Sequence, residues 1–131
     1  MTGRPYSSFL THQKKERDFS IIQTGLNIER KQLYENINLR VENMIRKGLV
    51  EEAKALHPFR KLNALETVGY KEIFDHLEGK TTLEDAVDLI KRHSRQYARR
   101  QLTWFRKDKR VRWFSPDEPD AMIGYIVSRM V

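Results

Sequence analysis

The sequence predicts a mainly α-helical chain with one strand, and three observations predict it. Apolar residues recur at three- and four-residue steps through most of the chain. Threonines and glycines sit where those periodic runs begin and end. Only Phe19 to Thr24 (F-S-I-I-Q-T), bounded by Asp18 and Gly25, has the β-branched and aromatic composition of a strand.

Residues 1–18 are polar and irregular, with a turn signal at Gly3-Arg4-Pro5 and a solvated stretch from Lys14 to Arg17. The strand at 19–24 is expected to be isolated, because its backbone groups need a sheet that the chain does not supply. Asn27 is placed to cap a helix running to about Lys47, which Gly48 ends. Leu33, Ile37, Val41, Met44 and Ile45 give that helix its buried face. A short helix follows from about Leu49 to Leu56, stopped by Pro58, and another from about Ala64 to Leu77, with a kink at Gly69 and Gly79 closing it. Thr81 or Thr82 then caps the longest helix, about Leu83 to Lys107, with Thr81-x-x-Glu84 in capping-box spacing. Val111 to Phe114 reads as extended, and Pro119 to Met130 as a terminal helix.

The 131 residues suffice for one domain with a real core. The formal charge is +7, and it is concentrated: residues 91–112 hold ten of the 25 lysines and arginines and one acid, Asp108. Residues 51–90 hold more acids than bases. A local basic patch of this kind attracts polyanions. No apolar run approaches the roughly 18 residues of a membrane span, and no signal-peptide pattern opens the chain. The absence of cysteine excludes disulfides, thiol catalysis and zinc–thiolate sites. A cytoplasmic monomer with no membrane partner is the simplest expectation.

Within the basic stretch, Y-A-R-R-Q-L-T-W-F-R places Arg99, Arg100 and Arg106 around Gln101, Thr103 and Trp104, and Lys107, Lys109, Arg110 and Arg112 follow at once. Guanidinium forks beside an amide, a hydroxyl and an indole are suited to holding phosphates and reading a splayed-out base. At 100° per residue, Leu83, Val87, Ile90, Ser94, Ala98, Leu102 and Phe105 form an apolar stripe. Arg92, Arg95, Arg99 and Arg106 share the opposite side, and Arg100 and Trp104 lie on one flank. The competing reading is a solvated basic face.

Other constellations carry less. Gly79-Lys80-Thr81 looks like the end of a phosphate-binding loop, but Phe74 stands where the loop needs its first glycine, so it reads as a helix stop and cap. His12, His57, His76 and His93 have no paired metal-ligand spacing and read as surface or packing residues, and no metal ligands are expected in the chain. Glu51-Glu52 and Glu84-Asp85 suit first helical turns rather than an acid–base couple. Gly69 within a helical pattern costs about 1 kcal/mol against alanine. Such a glycine admits a neighbouring backbone or a ligand, which Tyr70 and Lys71 would then serve. Arg40, one turn from Ile37 and Met44, falls near the core-facing side of its helix, where it needs a carboxylate or a ligand oxyanion.

Three blocks together resemble the C-terminal part of the tRNA dimethylallyltransferases, also called isopentenyltransferases. They are Met1 to Pro5 (M-T-G-R-P), Leu33 to Glu52 (L-Y-E-N-I-N-L-R-V-E-N-M-I-R-K-G-L-V-E-E), and Val68 to Glu72 with Arg99 to Arg106. The last block, R-R-Q-L-T-W-F-R followed by Trp113-Phe114, is the most specific. The resemblance implies that 1–131 is the C-terminal part of a longer enzyme whose P-loop-type α/β core lies upstream. Residues 1–18 would end its helical tRNA-binding insertion. Residues 19–131 would return to the core, with the 19–24 strand joining its sheet, and bring the tRNA-contacting helices.

The implied reaction moves a dimethylallyl group from its diphosphate to N6 of the adenine beside the anticodon. Magnesium would be bound by the N-terminal core, which also supplies the general base, so these 131 residues alone are expected to be inactive. By position, Arg40 matches an arginine of the active-site channel near the diphosphate. Glu66, Thr67, Val68, Gly69, Tyr70 and Lys71, and Arg99, Arg100, Gln101, Leu102, Thr103, Trp104, Phe105 and Arg106, match segments that contact the tRNA anticodon stem-loop around the flipped base. Tyr70 and Trp104 have packing as their alternative role. Family members usually carry arginine at the position of Asn36, so no contact is carried over there. Two rival readings are a free-standing helical RNA-binding module without chemistry, and a helix-turn-helix DNA binder. The second fits poorly, since a recognition helix reads bases from its N-terminal end.

Overall fold

The computed structural model describes residues 18–130; the turn signal at Gly3-Arg4-Pro5 and the stretch assigned to the end of a helical insertion lie outside them. The elements run in the order β1 (Thr24–Leu26), α1 (Arg30–Arg46), α2 (Leu49–Leu56), α3 (Tyr70–Leu77), α4 (Leu83–Phe105), β2 (Arg112–Phe114) and α5 (Pro119–Ser128). Two single 3-10 turns, His57–Phe59 and Asn63–Leu65, lie between α2 and α3. The mainly helical expectation holds.

Four helices supply one core: Val41 from α1, Leu49 and Ala53 from α2, Ile73 and Phe74 from α3, and Ala86 and Ile90 from α4. Met44, Ile45, Leu56, Leu77 and Val87 pack around it half-buried. The apolar stripe of α1 is therefore as read from the sequence. That of α4 is rotated slightly, because Ala86 is buried while Leu83 and Phe105 are exposed. Beyond Ile90, none of the described α4 residues is fully buried.

The isolated strand at 19–24 is corrected by the structure. The strand is Thr24–Leu26, and it pairs in parallel with β2, with Gly25 opposite Trp113. Backbone bonds extend the pairing at both ends, from Arg112 N–H to the Gln23 carbonyl and from Asn27 N–H to the Phe114 carbonyl, both 2.9 Å. Phe19 and Ile21 instead lie exposed before the strand. A parallel pair needs a long crossover. Here α1 to α4 are that crossover, which is why residues so distant in sequence become partners. Gly25 is required by the close approach of Trp113, whose ring would lie 2.8 Å from a Cβ at this position.

Helix ends differ from the expected bounds for local reasons. Asn27 is engaged in the sheet, so α1 starts at Arg30 with Glu29 before it and no side-chain cap. The helix expected from Ala64 to Leu77 is broken. Gly69 sits at φ +111°, a conformation that a residue with a Cβ adopts only with strain, and α3 begins after it. Thr82, not Thr81, caps α4: its Oγ1 accepts the Asp85 N–H at 3.1 Å and donates to the Asp85 carboxylate at 2.7 Å. The helix ends at Phe105 rather than Lys107, since Asp108 accepts the Arg110 N–H at 3.0 Å and turns the chain. At the other end of α3, Lys80 bonds Glu78 at 2.7 Å and Asp75 at 2.9 Å. Those carboxylates push its pKa up to about 12, so Gly79-Lys80-Thr81 works as a helix stop.

Two glycines test the difference between open space and backbone strain. A Cβ would meet nothing within 4 Å at either Gly69 or Gly124. Gly69→Ala is expected to destabilise by about 1–3 kcal/mol through strain alone, whereas Gly124→Ala, inside α5, should stabilise by about 0.5–1 kcal/mol. Urea unfolding of the two variants reads the opposite signs.

Candidate nucleic-acid interface

The segment 99–106 occupies the last two turns of α4, past the end of the apolar core. Its side chains divide between two faces. Gln101, Leu102, Trp104 and Phe105 line an open cleft of about 1310 Å³, whose other wall includes Gly25 and Trp113 of the strand pair. Arg99, Arg100, Thr103 and Arg106 are exposed and do not line it. The structure thus separates groups that the sequence placed side by side: the basic face is at 99, 103 and 106, and the apolar face at 98, 102 and 105. Trp104 is 67% exposed and meets only the Phe105 ring edge-on, with centroids 4.9 Å apart. The Thr103 hydroxyl donates to the Arg99 carbonyl at 2.9 Å, which leaves it free only to accept.

The cations of this region fall into two groups. Arg95 donates to Asn38 of α1 at 2.6 Å and Lys91 to Glu42 of α1 at 2.9 Å, so both hold α4 in place. Lys91 also lowers the Glu42 pKa, through its hydrogen bond first and its charge second. Arg110 makes a forked contact with Asp108, at 2.9 and 2.6 Å, that brings the Asp108 pKa down to about 2. The one acid of the basic stretch is thus spent on a single arginine. Among the described residues, no carboxylate lies within ion-pair distance of Arg99, Arg100, Arg106, Lys107 or Lys109. These remain available to an external anion.

The segment 66–71 forms the turn into α3. Glu66, Thr67, Val68 and Lys71 are exposed, and Gly69 is buried in its floor. Gly69, Val68 and Tyr70 border a small pocket of about 280 Å³ that Lys47 and Glu52 also line. A Cβ at Gly69 would meet nothing within 4 Å. Tyr70 takes the packing role: its ring stacks on Phe74, centroids 6.1 Å apart, and its hydroxyl donates to the Glu52 carboxylate, which raises the tyrosine pKa. Arg40 is exposed, not core-facing, and among the described residues it makes no ion pair. Its need for a buried partner therefore falls away, because the α1 stripe turns Val41 inward and Arg40 out.

Two residues have partners that the sequence reading did not assign. Glu72 is only 5% exposed, and its Oε2 accepts the Gly69 N–H at 2.8 Å. Its Oε1 lies 2.6 Å from His93 Nδ1 on α4. The Gly69-x-x-Glu72 spacing at a helix start was a usable signal, since a glutamate three residues in can reach back to the capping N–H. His93 offered none. Among the described residues no group of three or more His, Asp or Glu could hold a metal ion, and no helix is long and apolar enough to cross a membrane.

Comparison with known proteins places these features in a family. The family model described as IPP transferase matches residues 1–108. The tRNA dimethylallyltransferase 2 of Parabacteroides distasonis is 52% identical over all 131 residues, and that of Porphyromonas gingivalis is 53% identical over 127. The alignments cover 100% and 97% of this chain but 44% and 42% of the relatives, so the chain spans less than half their length. The crystal structure of the full-length tRNA isopentenylpyrophosphate transferase from Bacillus halodurans superposes with a TM-score of 0.75 at 42% identity, over 82% of this chain and 38% of that one. The corresponding transferase from Staphylococcus epidermidis gives 0.74 at 34% identity, over 83% and 37%. A family model covering most of the chain, joined to whole-chain identity above one half, shows that this chain belongs to the IPP transferase family.

Proposed function

We propose that this chain is the C-terminal part of a tRNA dimethylallyltransferase, acting on tRNA with dimethylallyl diphosphate as donor. The observation that carries the reading is the 52% identity over the entire chain to a tRNA dimethylallyltransferase. In the proposed reaction, N6 of the adenine beside the anticodon attacks the allylic carbon, the C–O bond to diphosphate breaks, and N6 gives up a proton. The adenine must leave the anticodon loop to reach the donor. This chain's part is to grip the loop and to border the channel, and the base and the diphosphate-binding loop would come from the upstream core.

The exposed Arg99, Arg100 and Arg106, which make no ion pair among the described residues, are suited to loop phosphates. The Thr103 hydroxyl, left as an acceptor, suits a base amino group, and Glu66 to Lys71 offer a second contact around the open Gly69. Gln101, Leu102, Trp104 and Phe105 face the cleft instead, which makes them the less direct contacts. Arg40, exposed on α1, is free to reach the leaving diphosphate. The described residues do not fit a magnesium site, and the resemblance puts that ion on the upstream core. A compartment in the cytoplasm and a monomeric state complete the reading.

The complete protein should alkylate an anticodon stem-loop when given dimethylallyl diphosphate and magnesium, and these 131 residues alone should not. In the complete protein, Arg40→Ala should raise the barrier by about 2.7–4 kcal/mol, the usual size of one lost transition-state contact, with stem-loop affinity little changed. Single-turnover rates check both. An Arg40→Ala enzyme of normal rate and weakened RNA binding would move this arginine to the RNA grip.

Binding of the stem-loop should be steeply salt-dependent, because each phosphate contact to single-stranded RNA adds about 0.7 to the log–log slope. Arg99→Ala combined with Arg100→Ala should flatten that slope by roughly 1.4 and weaken all tRNAs alike, since phosphate contacts position and base contacts specify. Titrations at several salt concentrations measure it, and an unaltered slope would leave the stripe as a solvated face.

A further inference from the structure

The apolar core releases α4 at Ile90, yet the segment 99–106 begins only nine residues later. Three polar contacts fill that gap: Lys91 to Glu42, Arg95 to Asn38, and His93 to Glu72. The first two bind α4 to α1. The third binds it to α3, and it differs in being nearly buried on one side.

Glu72 has two acceptor oxygens and spends them on different structures. Oε2 takes the Gly69 N–H at 2.8 Å, inside the turn 66–71. Oε1 takes His93 Nδ1 at 2.6 Å, on α4. With a carboxylate as acceptor of both, the imidazole proton sits on Nδ1. Burying such a group is costly unless it is fully bonded, and an apolar side chain would serve core stability as well or better. What the carboxylate adds is geometry. It ties the turn that carries Tyr70 and Lys71 to a point on α4 about 9 Å of helix before Arg99.

We propose that Glu72 and His93 are a positioning pair, which fixes the turn 66–71 against α4 so that the two tRNA-facing segments meet the anticodon loop at a set separation. This rests on the tRNA reading above. Neither residue touches the RNA in this account. His93 acts on Glu72, and Glu72 holds the Gly69 backbone.

The pair makes a demand that a structural contact alone would not. His93→Leu removes the donor, while His93→Asn keeps an N–H at the position of Nδ1. Glu72→Leu removes the acceptor of both bonds at similar volume. In the complete protein, His93→Leu and Glu72→Leu should raise KM for the stem-loop about tenfold or more, the ratio that one hydrogen bond to a charged group is worth. KM for dimethylallyl diphosphate should stay near that of the parent, the Tm should fall because Oε1 of the buried carboxylate loses its partner, and His93→Asn should recover both the Tm and the parent's KM for RNA.

An unchanged RNA KM in His93→Leu would overturn the pair. A joint rise of both KM values with a fall in Tm, not rescued by His93→Asn, would also overturn it, by reducing the contact to fold stability. Lys71→Ala and the Arg99→Ala, Arg100→Ala double variant are measured beside them. If these leave the RNA KM unchanged, the tRNA reading itself fails and the pair falls with it. If they raise it while His93→Leu does not, only the positioning role is lost.

Discussion

The burial of Ala86 and Ile90 of α4 against α1 and α3, in the core that α2 also joins, is the contact on which the rest of the molecule depends. It fixes the first half of a 23-residue helix and leaves the second half to project beyond the core. Ile90 is 1% exposed and Ile73, its neighbour in the core, is fully buried. A helix anchored at one end transmits any tilt at that end to its far turn. Over the fifteen residues from Ile90 to Phe105 the lever is about 22 Å long. The polar contacts of Lys91, His93 and Arg95 lie just past the anchor, where they resist tilt toward either α1 or α3. The two contacts to α1 individually contribute little to stability. Their consequence is the direction in which the basic end points.

That end carries its charge unequally. Asp108 neutralises Arg110, and the same contact turns the chain out of the helix and into β2. One carboxylate therefore sets both the helix end and the charge left over. Arg99, Arg100 and Arg106 gain from its being occupied, because a nearby free acid would compete with phosphate for them. The cleft face of the same turns is of a different kind. Its aromatic and aliphatic side chains lie opposite Gly25 and Trp113 across an open cleft. The last two turns of α4 thus combine an exposed basic side with an apolar side that lines the cleft.

Much of this was legible in the sequence, and the misses have physical causes. Helices with strong periodicity and clear caps, α2 and α4 above all, stand within a residue or two of their expected bounds. The strand was misplaced because strand pairing is non-local. Phe19 to Ile22 has the better composition, but Thr24 to Leu26 is what the crossover brings beside Arg112 to Phe114. Gly69 was read as a glycine inside a helix, since periodicity continues through Leu65 and Tyr70. Its positive φ, which splits the two, has no periodic signature. Angular sorting put Arg95 with Arg99 on a free face, yet it cannot tell that α1 packs beside one and not the other. His93 was invisible for the same reason, its partner being set by the packing of α3 on α4 rather than by spacing.

The central claim is that the turn 66–71 and the end of α4 form one RNA-facing surface. Photo-crosslinking of the complete protein to an anticodon stem-loop carrying 4-thiouridine in the loop, with the crosslinked peptides identified by mass spectrometry, tests it most directly. The account predicts crosslinks to peptides containing Thr67 to Lys71 and to peptides containing Arg99 to Arg106, and none to α5. Crosslinks confined to other parts of the protein, with neither segment labelled, would contradict it.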